Sequence, residues 1–545
     1  MPGGRGEAVL SVFRRAAAIG VAASVLVGCS GSPGSSTQEH RASPASGAAA
    51  TATAAATGLH AGVAGLDVAS ENAKEGTGSW RLERLARPGE IDGFATRTDV
   101  VPGDPLRLAV STTAPWYGIR VYRAGWYGGQ LMREVWRSRA LQGHRLAPAT
   151  LSAATYTVVT SWRPNEVIDT KGWPPGAYLL RLDASTGGQR YVPVTVRSTN
   201  ARNALVLLDA VTTWQAYNAW GGYSLYHGPA GGDDFSHRSR AVTFDRPYDG
   251  VGASDFLGNE LPAISFAEHA GLPLAYATDV ALDLDPHLLD GARGVVSLGH
   301  DEYWSTKMRG QVTAARDRGV NVAFLGANAV FRHIRLEPGP AGDGADRADR
   351  MEVNYKRQLG DPYSGRNNAE VTVDWREPPV PRPESTLTGT FYECNPVHAD
   401  LVVTDPSSWL WSGIAGAVAR VPGVVGSEYD RVNPGVPTPA GIEVLTHSPV
   451  TCRNTPSYSD SAYYTVPSGA GVFNAGTSLW VAALGGPGLP SVTTTEGSRM
   501  IQAVTLRLLQ AMADGPMGRV HPARSNLAAL HAYRGDPIAA HAAGG

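Results

Sequence analysis

The 545-residue chain has little cysteine and almost no net charge. Its three cysteines exclude a scaffold built on several disulfides and any zinc site that needs four thiolates. Its 47 basic and 49 acidic side chains give a formal net charge of −2, so the chain lacks the basic field typical of nucleic-acid-binding proteins. We therefore expect no nucleic-acid partner. The length favours two folded units with additional segments over a single domain.

Several common catalytic motifs are also missing from the sequence. It contains no G-x-S-x-G nucleophile elbow, no H-E-x-x-H zinc motif, no P-loop and no G-x-G-x-x-G after a strand. Neither Cys394 nor Cys452 stands in a recognisable nucleophile setting. The side chains that remain for chemistry are carboxylates, tyrosines and one histidine. Phenol and carboxylate oxygens are hard donors that suit iron(III)-like ions, although this chemistry alone does not select iron over other metals.

The N-terminal segment has the layout of an export signal. Arg14 and Arg15 precede a short apolar run, as in a secretory signal peptide, and this run is too short to span a bilayer stably. The sequence LVGC, which ends at Cys29, resembles a bacterial lipobox. We predict a lipoprotein signal peptide over 1–29, lipidation of Cys29, and an exported protein anchored by lipid at the extracytoplasmic face of the cell membrane. The alternative is an ordinary signal peptide.

The predicted signal peptide is followed by a linker, and export also bears on the two remaining cysteines. Residues 30–65 are rich in Ser, Ala, Thr and Gly with few large apolar side chains, which predicts a disordered tether. Export would place Cys394 and Cys452 in an oxidising space, so we predict that they form a disulfide. The alternative is two buried free thiols.

Residues 75–198 show the pattern of a β domain. Short runs with alternating polarity are separated by glycine and proline, as in Leu106–Val110 and Tyr178–Leu182. No long helical period interrupts them. This pattern predicts an immunoglobulin-like β-sandwich.

Residues 199–515 change to continuous apolar runs that alternate with helical stretches. The apolar runs lie at 204–208, 274–277, 294–298 and 322–325. This alternation predicts a Rossmann-like parallel α/β domain. A helix over 305–318 with Ser305 as N-cap and a closing helix over 498–514 are expected.

Long insertions and a tail complete the predicted organisation. We interpret 337–395 and 434–464 as insertions over the sheet because they are rich in Pro, Gly, Asp and Arg. Residues 516–545 have few large apolar side chains, which predicts a loosely packed C-terminal tail.

Candidate functional residues follow the ends of the apolar runs, where open parallel sheets bind ligands. The first run leads into an aromatic and amide-rich segment that contains Tyr217, and the third leads into His300 and Glu302. Residues two apart in an extended chain share a face, so these two side chains suit a metal ligand beside an acid/base group. Two structural alternatives stay open. The aromatic segment could dock the neighbouring domain, and the acidic residues could be a cluster at a helix N-terminus. Asn328 and Glu428 are weaker candidates, because a turn amide and a surface charge explain them equally well.

Five short strings resemble the N,N-dimethylformamidase large (beta) subunit family, in its C-terminal domain. They are TWQAYN at 213–218, FDRPY at 244–248, SLGHDEYWS at 297–305, FLGAN at 324–328 and VFNAGT at 472–477. The resemblance implies a glutamine-amidotransferase-like α/β domain. It also implies a mononuclear iron held by two tyrosines and one glutamate, with a histidine and a second glutamate nearby.

The resemblance implies roles for five residues of this chain. Glu302 matches the iron-binding glutamate, and Tyr217 and Tyr248 are the predicted tyrosine ligands. His300 and Glu428 are the predicted catalytic residues. Tyr226 and Tyr178 are held in reserve as the second tyrosine.

The implied activity is hydrolysis of a small amide C–N bond, with iron polarising the carbonyl and lowering the pKa of a bound water. Glu428 or His300 would move the proton. Two alternatives stay open, namely a non-catalytic cell-surface lipoprotein that binds a small molecule or carbohydrate, and a metal-free hydrolase with His300 and Glu302 as an acid/base pair.

Overall fold

The chain folds into several β-sheets with few helices, so it is a mixed α/β protein. The computed structural model describes residues 66–230, 235–339, 348–414 and 420–530. Cys29, the predicted signal peptide and the predicted tether over 30–65 lie outside the described residues, as does the part of the tail from 531 onward. Within the described part of the chain, none of the helices has the length and apolar character needed to cross a bilayer.

The strands and helices have the following bounds. The strands, numbered β1 to β24 in chain order, are Ile91–Ala95, Asp99–Val100, Pro105–Thr112, Trp116–Ala124, Met132–Arg137, Leu141–Gln142, Thr150–Ser152, Thr157–Val159, Glu166–Asp169, Gly176–Ala184, Gln189–Val196, Leu205–Asp209, Ala241–Thr243, Leu274–Thr278, Gly294–Ser297, Tyr303–Ser305, Asn321–Phe324, Arg332–Glu337, Met351–Val353, Phe391–Val402, Arg420–Arg431, Glu443–Cys452, Thr455–Thr465 and Gly471–Asn474. The α-helices are Val68–Asn72, Val211–Tyr217, Leu261–His269, Asp279–Leu284, Thr306–Asp317, Ser385–Thr388, Trp480–Leu484 and Thr495–Asp514.

Two sheets in the N-terminal part share one core. One sheet has the strand order β1-β3-β9, and the other contains β2-β11-β10-β4-β5. Alternate residues of β3, among them Leu106 and Leu108, are fully buried against Val121 and Leu180 of the second sheet. The strands fall where alternating polarity places them, because in an extended chain every second side chain faces the core. The division into 75–198 and 199–515 stays a prediction, since the described residues between 66 and 530 cluster as one compact unit.

A seven-stranded sheet, which we call the central sheet, forms the core of the C-terminal part. Its strand order is β14-β12-β15-β17-β24-β23-β22. The strands from β14 to β24 are parallel, and β23 and β22 are antiparallel to their neighbours. The four strands predicted from continuous apolar runs are β12, β14, β15 and β17, and all are buried on both faces. Parallel strands covered on both sides need this continuous apolar pattern.

The interpretation of 434–464 as an insertion over the sheet is wrong. This segment supplies β22 and most of β23, the antiparallel hairpin at the edge of the central sheet. Its polar residues misled the prediction, because the serines of β23 are buried and hydrogen-bonded. The Ser461 hydroxyl, for example, donates to the carbonyl of Ala475 at 2.7 Å. A strand can therefore be polar and still lie within a sheet when each hydroxyl has a partner.

The predicted helix over 305–318 is confirmed. It spans Thr306–Asp317 with Ser305 as the N-cap, whose hydroxyl accepts the N–H of Met308 at 3.2 Å. Met308, Val312 and Ala315 are buried on one face, as their helical spacing predicts. The closing helix is also confirmed and begins slightly earlier than expected, at Thr495.

A disulfide joins Cys394 of β20 to Cys452 of β22 across a sequence separation of 58 residues. Replacing both cysteines with serine is expected to lower the free energy of unfolding by about 4 kcal/mol, because the bridge restricts the unfolded chain. Denaturant unfolding of the wild type and the double variant measures the difference. A reducing agent should destabilise the wild type and leave the double variant unchanged. A loss below about 1 kcal/mol would contradict the expected contribution of the bridge.

A buried ion pair connects the N-terminal sheets to the helix Leu261–His269. The guanidinium of Arg123 contacts both carboxylate oxygens of Glu268, at 2.6 and 3.1 Å, and both side chains are 0 % exposed. Tyr276 donates to the same carboxylate at 2.6 Å. Arg123 also donates to the carbonyl of Pro175 at 2.8 Å. Both charges therefore have a full set of partners, which a buried ion pair requires.

Candidate functional site

Two close backbone approaches shape the edge of the central sheet where the site lies. After β15, Gly299 adopts a φ of +55°, and a Cβ there would lie 2.3 Å from the carbonyl oxygen of Asn259. A Cβ on Gly326, which follows β17, would lie 1.8 Å from the carbonyl oxygen of Gly299. Only glycine fits these positions. The two turns bring His300 and Asn328 to one place.

The helix Val211–Tyr217 brings Tyr217 to Glu302. It follows β12 directly, and the hydroxyl of Thr213 accepts the backbone N–H of Glu302 at 3.0 Å. The Tyr217 hydroxyl donates to Oε2 of Glu302 at 2.7 Å. The helix that follows β12 is thereby fixed to the segment that follows β15, the neighbouring strand of the sheet. Tyr217 and Glu302 are thus brought together as the order of the strands predicts.

A second tyrosine, Tyr226, binds the same carboxylate. Its hydroxyl donates to Oε1 of Glu302 at 2.8 Å and lies 3.1 Å from the hydroxyl of Tyr217. The two phenol rings stack with their centroids 4.5 Å apart. The chain returns to the end of the helix after a turn at Gly221 and Gly222. Three oxygen-bearing side chains therefore meet within hydrogen-bonding distance.

The predicted catalytic residues lie beside this cluster. Nε2 of His300 is 3.2 Å from Oε2 of Glu428 and 3.5 Å from Oε2 of Glu302. The side-chain amides of Asn328 and Asn395 donate to Glu428, at 3.3 and 3.0 Å. Glu428 belongs to β21 and Asn395 to its partner strand β20, so this two-stranded ribbon forms one wall of the site.

Two basic side chains, Arg332 and Lys356, complete the surroundings of the cluster. Nε of Arg332 donates to Oε1 of Glu302 at 3.1 Å, and its guanidinium also pairs with Asp374. Nζ of Lys356 lies 3.1 Å from the centroid of the Tyr226 ring. Arg332 therefore contacts Glu302 directly, whereas Lys356 packs on the ring of Tyr226.

Burial and charge shift the pKa values of the cluster in opposite directions. Burial raises the pKa of Tyr217 and of Tyr226 well above the usual range, and the charge of Glu302 adds to this effect. Burial would also raise the pKa of Glu302, but His300 and Arg332 outweigh it and lower the pKa to about 2. For His300, burial lowers the pKa, yet the carboxylates of Glu428 and Glu302 raise it well above its usual value. These shifts favour neutral phenols on Tyr217 and Tyr226 around an ionised Glu302 carboxylate.

The structure does not bring Tyr248 into the cluster, contrary to the predicted ligand set. Its ring lies against that of Trp214, with the two ring centroids 6.3 Å apart. Its backbone carbonyl accepts from Arg190 of β11. Arg246 donates to the carbonyl of Asn218 at 2.8 Å, which fixes the segment around Tyr248 beside the helix end. The polar residues of the DRPY string therefore serve a backbone contact, that of Arg246 with Asn218, and not a metal site.

The second reserve residue, Tyr178, also lies elsewhere. Its hydroxyl donates to the carbonyl of Pro174 at 2.6 Å, and its ring stacks on Trp173 within the N-terminal core. Sequence reasoning gave no role to Arg332, Lys356 or Asn395. The Gly-Gly turn after Tyr217 was the available signal for Tyr226, because it reverses the chain toward the same strand end.

The side chains of the cluster fit a hard metal ion by their chemistry. Within the described ranges, no group of three or more His, Cys, Asp and Glu side chains is placed to hold a metal. The cluster differs from such groups because two of its three donors are phenols, those of Tyr217 and Tyr226. Two phenolates and one carboxylate would balance the charge of a trivalent ion, and all three are hard oxygen donors.

Fold and site together define a mixed α/β protein with a tyrosine–glutamate–histidine cluster at the edge of a largely parallel sheet. A family model described as "N,N-dimethylformamidase beta subunit-like, C-terminal" matches residues 118–494, and the chain belongs to this family. The match includes every residue of the cluster.

The other two comparisons add little. No curated protein matches the chain. One similar solved structure is that of a Paenibacillus sp. cycloisomaltooligosaccharide glucanotransferase complexed with cycloisomaltoheptaose, at 10 % identity and a TM-score of 0.14. The alignment covers 49 % of this chain and 34 % of that chain. A likeness at this score supports no inference about fold or function.

Proposed function

We propose that the protein is a metal-dependent hydrolase that cleaves the C–N bond of a small amide at the cluster around Glu302. The observation that carries the proposal is the convergence of the Tyr217 and Tyr226 hydroxyls on one carboxylate, 2.7 and 2.8 Å from its oxygens. Membership of the dimethylformamidase beta subunit-like family supports the same reading.

Tyr217, Tyr226 and Glu302 are the residues that would hold the iron, with Tyr226 in place of Tyr248. The chemistry that such an ion supplies when bound is Lewis acidity toward an amide carbonyl. Arg332 and Asp374 hold Glu302 in place, since partners of this kind orient the ligands of a metal site.

Glu428 and His300 would carry the proton. They form a pair 3.2 Å apart beside the cluster, and the amides of Asn328 and Asn395 fix the carboxylate. In the hydrolysis, water supplies the oxygen that remains on the acyl carbon, the C–N bond breaks, and a proton of the water passes to the leaving amine. Glu428 and His300 provide the path for that proton.

The finer architecture and the location of the protein belong to the same proposal. We propose that the N-terminal sheets form an immunoglobulin-like sandwich and that the central sheet is Rossmann-like and related to the glutamine amidotransferases. The lipobox at Cys29 supports export and lipid anchoring. Radiolabelled fatty-acid incorporation into the wild type, lost in Cys29→Ser, would test the anchor.

Metal content and colour test the proposed centre. The purified wild type is expected to contain about one iron per chain and to show the visible absorption of tyrosinate–iron(III). Tyr226→Phe should lose or shift this absorption, because it removes one phenol donor. Tyr248→Phe is the matched control and should leave the metal content and the spectrum unchanged.

Activity is then measured with N,N-dimethylformamide and a panel of small amides. Hydrolysis that is lost on chelation and restored by iron supports the proposal. A colourless, metal-free protein that hydrolyses none of these amides would instead favour the non-catalytic binding protein. Hydrolysis that survives chelation would favour the metal-free acid/base alternative.

A further inference from the structure

Two buried basic side chains beside the cluster have donor atoms without acceptors. Lys356 is 8 % exposed and Arg238 is 5 % exposed. Nζ of Lys356 and Nε of Arg238 are buried atoms that form no hydrogen bond within the described residues. The remaining nitrogens of Arg238 donate to the carbonyls of Ser239 and Tyr355, at 2.9 Å and 2.5 Å. Buried donors of this kind normally have a partner.

The two side chains also lack an acidic partner. Neither forms an ion pair with any described carboxylate, and burial together with neighbouring arginines lowers the pKa of Arg238 to about 10. Arg332, by contrast, pairs with both Glu302 and Asp374. An arginine buried without a counter-charge costs stability, so Arg238 calls for an anion that the described residues do not supply.

Aromatic rings place these two donors next to each other and next to the proposed site. The ring of Phe235 has the Arg238 guanidinium 4.5 Å from its centroid and Lys356 Nζ 5.8 Å from it. Lys356 Nζ is also 3.1 Å from the centroid of Tyr226, whose hydroxyl binds Glu302. A group bound by Lys356 would therefore be separated from the Glu302 carboxylate by the ring of Tyr226.

We propose that Lys356 and Arg238 bind an oxyanion group of the substrate, so that the substrate is a small amide that carries a carboxylate or a phosphate. This inference rests on the proposed function and adds the substrate class. The amide would face Glu302 and the His300–Glu428 pair, and the anionic group would accept hydrogen bonds from Lys356 and Arg238. A neutral amide such as N,N-dimethylformamide makes no use of these donors.

Matched substrates test the proposal. Hydrolysis of N-formylglycine is compared with that of its methyl ester, which has the same formyl amide without the charge. The wild type should prefer the anion by about 10- to 100-fold in kcat/KM, as expected for a charged hydrogen bond. Lys356→Met should remove this preference by raising KM for the anion, with little effect on the ester. Arg357→Met changes the exposed neighbouring cation in the same way and should keep the preference.

Direct binding separates this inference from the proposed activity. Acetate and inorganic phosphate are titrated calorimetrically into the wild type, into Lys356→Met and into Arg238→Lys, a variant that preserves the charge. Binding by the wild type that is lost in Lys356→Met and retained in Arg238→Lys supports the oxyanion site, even if no amide is hydrolysed. The anion that binds more tightly, acetate or phosphate, shows whether the substrate carries a carboxylate or a phosphate. Hydrolysis with equal rates for acid and ester, and no binding of either anion, would overturn the inference while leaving the proposed hydrolase intact.

Discussion

Glu302→Gln is expected to lose the bound metal and to lower the rate of amide hydrolysis by about a thousandfold or more, which corresponds to several kcal/mol of transition-state stabilisation. The substitution keeps the size of the side chain but removes the charge that Tyr217, Tyr226 and Arg332 all contact. Elemental analysis, the visible spectrum and kcat/KM of the purified variant measure the effect. An unchanged iron content would contradict the assignment of Glu302 as a ligand.

Two further variants separate binding of the metal from transfer of the proton. Glu428→Gln is expected to keep the iron and its colour but to lower kcat by about 10²- to 10⁴-fold, the usual range for a general acid–base group. Glu443→Gln is the control, because Glu443 is a buried carboxylate on β22 that accepts the backbone N–H of Arg524, outside the site. It should retain both metal and rate. Loss of iron in all three variants would indicate a general structural effect.

Glu268→Gln is expected to lower the free energy of unfolding by about 3–5 kcal/mol, because it leaves the charge of Arg123 buried without a counter-charge. The amide keeps the shape of the side chain and can still bind Tyr276, so the loss reports mainly the missing charge. Denaturant unfolding followed by fluorescence gives the difference.

The exposed pair of Glu496 and Arg499 is the control for this effect. Its side chains are 73 % and 71 % exposed, and an exposed pair contributes only about 0–1 kcal/mol. Glu496→Gln should therefore unfold at the same denaturant concentration as the wild type. Equal stability of Glu268→Gln and the wild type would mean that solvent reaches Arg123 when the carboxylate is lost.

Much of the fold was predictable from local sequence patterns. The buried strands β12, β14, β15 and β17 were visible as apolar runs, since a strand covered on both faces needs apolar side chains throughout. The hairpin β22–β23 was not, because its hydroxyl groups are paired within the sheet and their partners lie far away in sequence. Local polarity cannot show whether a hydroxyl has found a buried partner.

The sequence by itself determined the members of the site that share one segment. His300 and Glu302 stand two residues apart directly after a buried strand, and extended geometry is enough to place their side chains together. Tyr217 could be assigned in the same way, because it follows a neighbouring parallel strand and parallel strands end at one edge.

Only the tertiary structure decided which tyrosine joins them and which groups surround them. Tyr226 and Tyr248 are both aromatic residues in polar turns, and only the path of the chain after Gly222 turns one toward Glu302 and the other toward Trp214. Arg332, Lys356 and Arg238 reach the same region from segments far apart in sequence. Their contacts depend on strand pairing and long-range packing, which no local pattern in the sequence records.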